Sequence, residues 1–162
     1  MIGKVLVLIG SGSDTEVMKE SAAVLSGFGI PYTLAVTSAH RSPERTRKFA
    51  KDAEKEGYSL IIAGAGAAAH LAGVVAAETM LPVIGVPLAS SPLSGFDSLL
   101  STVQMPAGVP VATMGVGKAG ARNAGHLAAR ILALSSPELM ARLQEHRKKM
   151  AEAIAASENE GR

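Results

Sequence analysis

Two adjacent residues, His40 and Arg41, are the pair in this chain best suited to chemistry on a phosphorylated small molecule. Imidazole ordinarily titrates near neutral pH, so His40 can both give and take a proton. Guanidinium presents a planar fork of N–H donors that matches phosphate oxygens, so Arg41 can hold an anion beside it. Two further loops carry compatible groups. Gly10-Ser11-Gly12-Ser13-Asp14 joins two glycines that allow close backbone approach to two hydroxyls, a carboxylate and the start of a helix, where free amides favour an anion. Gly64-Ala65-Gly66-Ala67-Ala68-Ala69-His70 places a second titrating residue after a wall of small side chains. Each group also has an ordinary reading. Ser13 and Asp14 suit any helix start, His70 suits a helix N-terminus, and a loop histidine is often no more than a solvated side chain.

What decides between these readings is where the chain puts the loops. Five short aliphatic or β-branched runs recur, at 5–9, 32–36, 60–63, 82–86 and 109–113. Each is followed by a small-residue loop and then a helical pattern, at 14–26, 43–56, 67–80, 97–104 and 119–134. A sixth helix is expected over 137–156. Strands alternating with helices predict a parallel sheet covered on both faces. The expected fold class is three-layer, flavodoxin-like α/β: a five-stranded parallel sheet of order 2-1-3-4-5, helices on both faces and a projecting C-terminal helix. In such a sheet ligands bind beyond the carboxyl ends of the strands where strand order reverses, here between strands one and three. The three loops above all fall on that edge, joined by Ser38-Ala39 ahead of His40.

Capping residues support several boundaries. Ser13 with Glu16 reads as a capping box, and Ser42-Pro43 and Ser136-Pro137 each read as N-cap followed by N1. In the last helix Leu139, Met140, Leu143 and Met150 form an apolar stripe that calls for a partner, and residues 157–162 read as a frayed polar tail. The whole chain, 1–162, is expected to be a single domain.

Composition narrows the chemistry. Sixteen Lys and Arg against fourteen Asp and Glu leave a charge of +2, too little to drive non-specific nucleic-acid binding. Aromatics make up 3% of the chain and Trp is absent, so stacking platforms for single strands are missing as well. With no Cys, disulfides, iron–sulfur clusters and thiolate zinc sites are excluded, and a reducing, cytoplasmic setting is expected. The four histidines have no metal-binding spacing, so no metal is assigned. Residues 60–77 are apolar enough to raise a membrane span, but the run is mostly Ala and Gly with a glycine break, so strand plus helix is expected. The spacing Gly64-x-Gly66-x-x-Ala69 resembles a dinucleotide fingerprint only weakly, since it follows the third strand and no acidic residue follows at ribose distance. A nucleophilic serine elbow is out of register at Gly10-Ser11-Gly12, and Asp14 stands alone where a phosphoacceptor site would need an acidic cluster. Ser90, Ser91 and Ser94 lie in a fourth loop that reads as a pocket-closing segment.

Taken together, Gly10-Ser11-Gly12-Ser13-Asp14, Ser38-Ala39-His40-Arg41-Ser42-Pro43, the run from Ala63 to His70 and Leu71, Leu81-Pro82-Val83-Ile84-Gly85-Val86-Pro87, and the run from Asp97 through Val103-Gln104-Met105-Pro106 closely resemble the class I PurE family, the N5-carboxyaminoimidazole ribonucleotide mutases of purine biosynthesis. The resemblance covers about residues 4–143. It implies conversion of N5-carboxyaminoimidazole ribonucleotide to 4-carboxy-5-aminoimidazole ribonucleotide by loss and recapture of carbon dioxide, with no cofactor, metal, biotin or ATP. It also implies a homo-octamer.

By matching position, the resemblance makes His40 the proton-transfer residue and places His70, a second catalytic candidate, in the wall around the imidazole and its carboxylate. Arg41 and Ser11 become phosphate-side contacts and Asp14 a ribose-hydroxyl contact. Ser13, Ser38, Ala39 and Leu71 become further substrate contacts, and Gly64, Ala65 and Gly66 the wall around the imidazole and its carboxylate. The chain departs from the family pattern at Ser42, where Thr is usual, at Ala67, where Gly is usual, and at Ala72, where Pro is usual. Two alternatives stay open at this stage: direct carboxylation of aminoimidazole ribonucleotide by free carbon dioxide, and a non-catalytic nucleotide- or flavin-binding module.

Overall fold

The computed structural model describes residues 2–160, with side chains through 156. Five parallel strands, β1 (Lys4–Ile9), β2 (Tyr32–Val36), β3 (Tyr58–Gly66), β4 (Val83–Leu88) and β5 (Ala112–Thr113), lie in the order β2-β1-β3-β4-β5. Alternation along the strands sorts the core into two layers. Val5, Val7 and Ile9 of β1 with Leu60 and Ile62 of β3 point to one face, under α1 (Thr15–Gly27), α5 (Lys118–Ala133) and the first turns of α6 (Pro137–Glu160). Leu6, Leu8, Ile61 and Ala63 point to the other, under α2 (Pro43–Asp52) and α3 (Leu71–Glu78). On that side α4 (Phe96–Val103) also closes, since Ala72 of α3 and Thr102 of α4 both pack on Gly85. The expected class and strand order are both present. No helix among the described residues is long and apolar enough to cross a membrane.

Several boundaries differ, each for a physical reason. β3 does not stop at Gly64-Ala65-Gly66 but runs through it, because β4 pairs Val86, Pro87 and Leu88 with those three residues. Gly64 is glycine because its Cα faces the Met18 side chain of α1, which a Cβ would strike. With the glycines inside a strand, α3 begins at Leu71 and not at residue 67, which removes the dinucleotide-fingerprint reading. The 109–113 run yields only Ala112–Thr113 as strand: Gly108 turns at φ +93°, and Pro110 has no N–H to give a ladder. α2 ends at Asp52, short of the expected 56, in a turn closed by Gly57 at φ +82°.

The capping box at Ser13 does not form. Gly12–Asp14 is a short 3-10 turn, Ser13 Oγ donates to Ser11 Oγ at 2.9 Å, and Glu16 pairs with Lys19. Ser42 precedes Pro43 at the start of α2 as expected, but its hydroxyl makes no bond to the helix.

The Ala- and Gly-rich stretch 119–129, a pattern that permits close helix approach between subunits, is used inside the chain. Ala121, Ala124, Gly125 and Ala128 are buried against α1. A Cβ on Gly125 would meet Val24 Cβ at 2.8 Å, and Ser21 Oγ donates to the Ala121 carbonyl at 2.7 Å. The α6 stripe is likewise partly consumed, with Leu139 fully buried and Leu143 packed on the core, leaving Met140 and Met150 exposed. α6 extends to Glu160; the side chains of 157–160 and residues 161 and 162, where a frayed tail is expected, lie outside the described residues.

Candidate active site

The loop between β2 and α2 is shaped by hydroxyls. Ser42 Oγ accepts from the Ser38 N–H at 2.9 Å and donates to the Ser38 carbonyl at 3.1 Å, while Ser38 Oγ accepts from the Arg41 N–H at 3.2 Å. Below them Thr37 and Thr46 share a buried hydroxyl–hydroxyl bond of 2.9 Å. Ser38 thus spends its side chain on the loop, which turns sharply enough to stand His40 and Arg41 at the sheet edge, both exposed. Arg41 has no ion-pair partner among the described residues, so its fork is available to an anion.

Across the edge, His70 N-caps α3. His40 Nε2 and His70 Nδ1 are 2.8 Å apart, with the rings nearly perpendicular at 88°. One of these two nitrogens carries the hydrogen and the other accepts it, so the pair shares a proton site. The link before His70 is tightly wound: the Ala69 N–H meets the Ala67 carbonyl and the His70 N–H the Ala68 carbonyl, both at 2.8 Å. Ala67 takes φ +52°, a left-handed conformation that an alanine adopts at a cost and a glycine does not. α2 and α3, which carry the two histidine loops, are joined on the surface by Glu78, bonded to Arg47 at 3.0 Å and Lys51 at 3.4 Å.

These loops enclose a cleft of about 370 Å³ bounded by Gly10, Ser11, Ser13, Asp14, Ser38, Ala39, His40, Arg41, Ala65, Gly66 and Leu71, as well as Ala67, Ala68 and Ser90. Asp14 is the one acid there and is 7% exposed. Burial pushes its carboxyl above the usual aspartate range, and the Ser13 hydroxyl partly opposes this. Gly64 lies beneath the wall, its carbonyl accepting the Gly10 N–H at 2.9 Å and so tying the first loop to β3. Gly10, Ala67, Ala68 and Ser90 were not among the expected contacts. Ser90 enters because Gly66 leaves it room: a Cβ there would collide with the Ser90 hydroxyl. The fourth loop's serines were the only hint of this in sequence.

A larger groove, about 910 Å³, opens at the amino ends of β4 and β5 between Lys51, Glu54, Met80, Pro110 and neighbours. Its Lys51 and Glu78 are paired with each other at 3.4 Å, and no histidine lines it. Convergent polar groups at the carboxyl edge, not volume, mark the site.

A parallel flavodoxin-like sheet here brings an imidazole pair, an open guanidinium and a buried carboxylate together around one small cleft at its carboxyl edge. The model of the AIR carboxylase family matches residues 4–153, and the chain belongs to that family. It is 54% identical over 147 residues to an N5-carboxyaminoimidazole ribonucleotide mutase of Pyrococcus abyssi, covering 91% of this chain and 83% of that protein. A Brucella melitensis protein of the same name is 54% identical over 151 residues, 93% of each chain. Among solved structures, Treponema denticola PurE superposes with a TM-score of 0.88 at 28% identity over 97% of both chains.

Proposed function

We propose that this chain is an isomerase of purine biosynthesis that converts N5-carboxyaminoimidazole ribonucleotide to 4-carboxy-5-aminoimidazole ribonucleotide, with His40 and His70 as its acid–base pair. The observation that carries the assignment of roles is the 2.8 Å bond between those imidazoles at the mouth of the only cleft that also holds Arg41 and Asp14 among the described residues. Arg41 and Ser11 take the phosphate, Asp14 accepts from the ribose hydroxyls, and Ser13, Ser38, Ala39 and Leu71 line the remaining contacts. Ala65 and Gly66 form the wall beside the base, backed by Gly64.

The reaction balances without a co-reactant. Protonation of the carbamate nitrogen lets its C–N bond break, releasing carbon dioxide and the free amine. The electron-rich ring carbon then attacks that carbon dioxide, a carbon–carbon bond forms, and the ring proton leaves to the base. One group can serve both transfers, because the proton given at nitrogen equals the proton taken from carbon. Holding carbon dioxide against the ring replaces a bimolecular encounter by a positioned one, which suits a wall of small residues. His40 supplies the transferring imidazole, and His70, bonded to its Nε2, fixes its orientation and can exchange the proton with it.

We further propose self-association, as the PurE resemblance implies for an octamer. A supporting feature is the exposed stripe of Phe96, Leu100 and Val103 at helical spacing on α4, continued by Leu93. The expected setting is the cytoplasm, where a phosphorylated intermediate is made and consumed.

The test is to supply purified protein separately with N5-carboxyaminoimidazole ribonucleotide and with aminoimidazole ribonucleotide plus carbon dioxide, and to follow the carbon-carboxylated product. Product from the first substrate supports the mutase. Product from the second alone makes the chain a carboxylase. Light scattering showing a monomer at micromolar concentration would refute self-association.

A further inference from the structure

His70 is oriented by a link whose backbone closes on itself and whose first residue, Ala67, is left-handed at φ +52°. The bonds that close the link are internal to it, so they fix its shape and not its placement against the sheet edge. α4 supplies that hold. Ser101 Oγ donates to the Asp97 carbonyl at 2.8 Å, with the Ser98 carbonyl also in reach at 3.2 Å, and the same oxygen accepts the Ala69 N–H at 3.1 Å. Ala69 is buried, 1% exposed, and its N–H is shared between the Ala67 carbonyl at 2.8 Å within the link and this hydroxyl, which is its one bond to another element. The next residue is His70, whose Nδ1 meets His40 Nε2. α4 otherwise contributes nothing to the cleft wall.

We propose that Ser101 is a positioning residue for the reaction: its hydroxyl, anchored on α4, sets the backbone at Ala69 and thereby the direction in which His70 meets His40. The inference rests on the assignment of His70 to the acid–base pair. It also follows that the hydroxyl, not the volume of the side chain, is what position 101 requires.

Four variants test it with the intact protein: Ser101→Ala, Ser101→Cys, Ser101→Thr and His70→Asn, together with the double change Ser101→Ala/His70→Asn, each with a melting curve. Ser101→Ala and Ser101→Cys should lower kcat about 10-fold with KM changed less than about 2-fold, since displaced catalytic groups lose rate before binding. Ser101→Thr, which keeps the hydroxyl, should restore it. Because Ser101 acts through His70, the double variant should be no slower than His70→Asn alone. Normal turnover in Ser101→Cys alongside a slow Ser101→Ala would mark a packing role and overturn the inference. So would a double variant in which the two losses multiply. Normal turnover in both Ser101→Ala and Ser101→Cys while His70→Asn is slow would overturn it and leave the site assignment standing. Normal turnover in His70→Asn would overturn the site assignment, and this inference with it.

Discussion

The chain's four histidines stand in two pairs, and the pairs are built on different principles. His40 and His70 meet edge to face at the sheet edge, exposed, with two nitrogens 2.8 Å apart. His126 of α5 and His146 of α6 lie nearly parallel, 28° between planes and 5.2 Å between centroids, and the ring of Phe28 meets both edge-on. The first pair is joined through its polar atoms and opens on a cleft. The second is joined through its faces, where three helices meet, and partial burial, His146 and Arg130 together hold the His126 imidazole below its ordinary pKa. Residue type is the same; what separates the two pairs is whether a nitrogen or a ring face makes the contact.

The comparison breaks most easily at His40. His40→Asn keeps size and hydrogen bonding but cannot titrate, so turnover should fall by about 100-fold or more, with substrate affinity retained in a direct binding measurement. If turnover is near normal while His70→Asn abolishes it, the proton carrier is His70.

Asp14→Asn should weaken substrate binding by about 1.5–3 kcal/mol, the range for hydrogen bonds to charged groups, read by titration calorimetry. The same change should raise the melting temperature of the free protein at neutral pH. Burial raises the folded-state pKa of Asp14 above its ordinary 3.8, so ionised Asp14 opposes folding. Its contribution becomes more favourable as pH falls through the raised value towards 3.8, and the asparagine variant should lack that dependence. Next in size, Arg41→Lys keeps the charge and loses the fork, and should raise KM about 10-fold with a smaller change in kcat. Unchanged kinetics would show that the fork does not hold the phosphate.

Ala67→Gly should stabilise the fold by about 1 kcal/mol in a denaturant titration, by removing an alanine from left-handed backbone. The smallest effect belongs to the second pair. His126→Phe should leave turnover within about 2-fold and flatten the pH dependence of stability. The lowered pKa of His126 means its stabilising contribution is complete above the ordinary 6.5 and is lost as pH falls from there towards the depressed folded value. A large loss of turnover would erase the distinction between the pairs.

Much of this was legible in the sequence because it depends on order and period. Aliphatic runs alternating with helical patterns gave the sheet, and reading the loops after strands one to three placed Asp14, His40, Arg41 and His70 at one edge. What was hidden depends on distance between segments remote in sequence. Gly64 reads as a loop glycine until Met18 is seen to occupy the space of its side chain. The small residues of α5 suit any close helix contact, and only packing shows that α1 is the neighbour. Phe96, Leu100 and Val103 share a helix face by their spacing, but α4 is only 8 residues long, so periodicity alone does not tell its outward face from its buried one. Ser101 bonding Ala69 across 32 positions has no local signature at all.

The bond from Ser21 to the Ala121 carbonyl, spanning 100 residues, also bears on how the protein is made. α1 carries Asp14 at its head and has its apolar face covered by α5. At about 5–20 residues per second, the ribosome needs on the order of 5–20 s after completing Ser21 to deliver Ala121. Within that interval the nascent chain gains both halves of the His40–His70 pair but still lacks the cover for the helix that Asp14 heads. The imidazole pair is therefore in the chain before α1 is covered, which comes only when α5 clears the exit tunnel and docks.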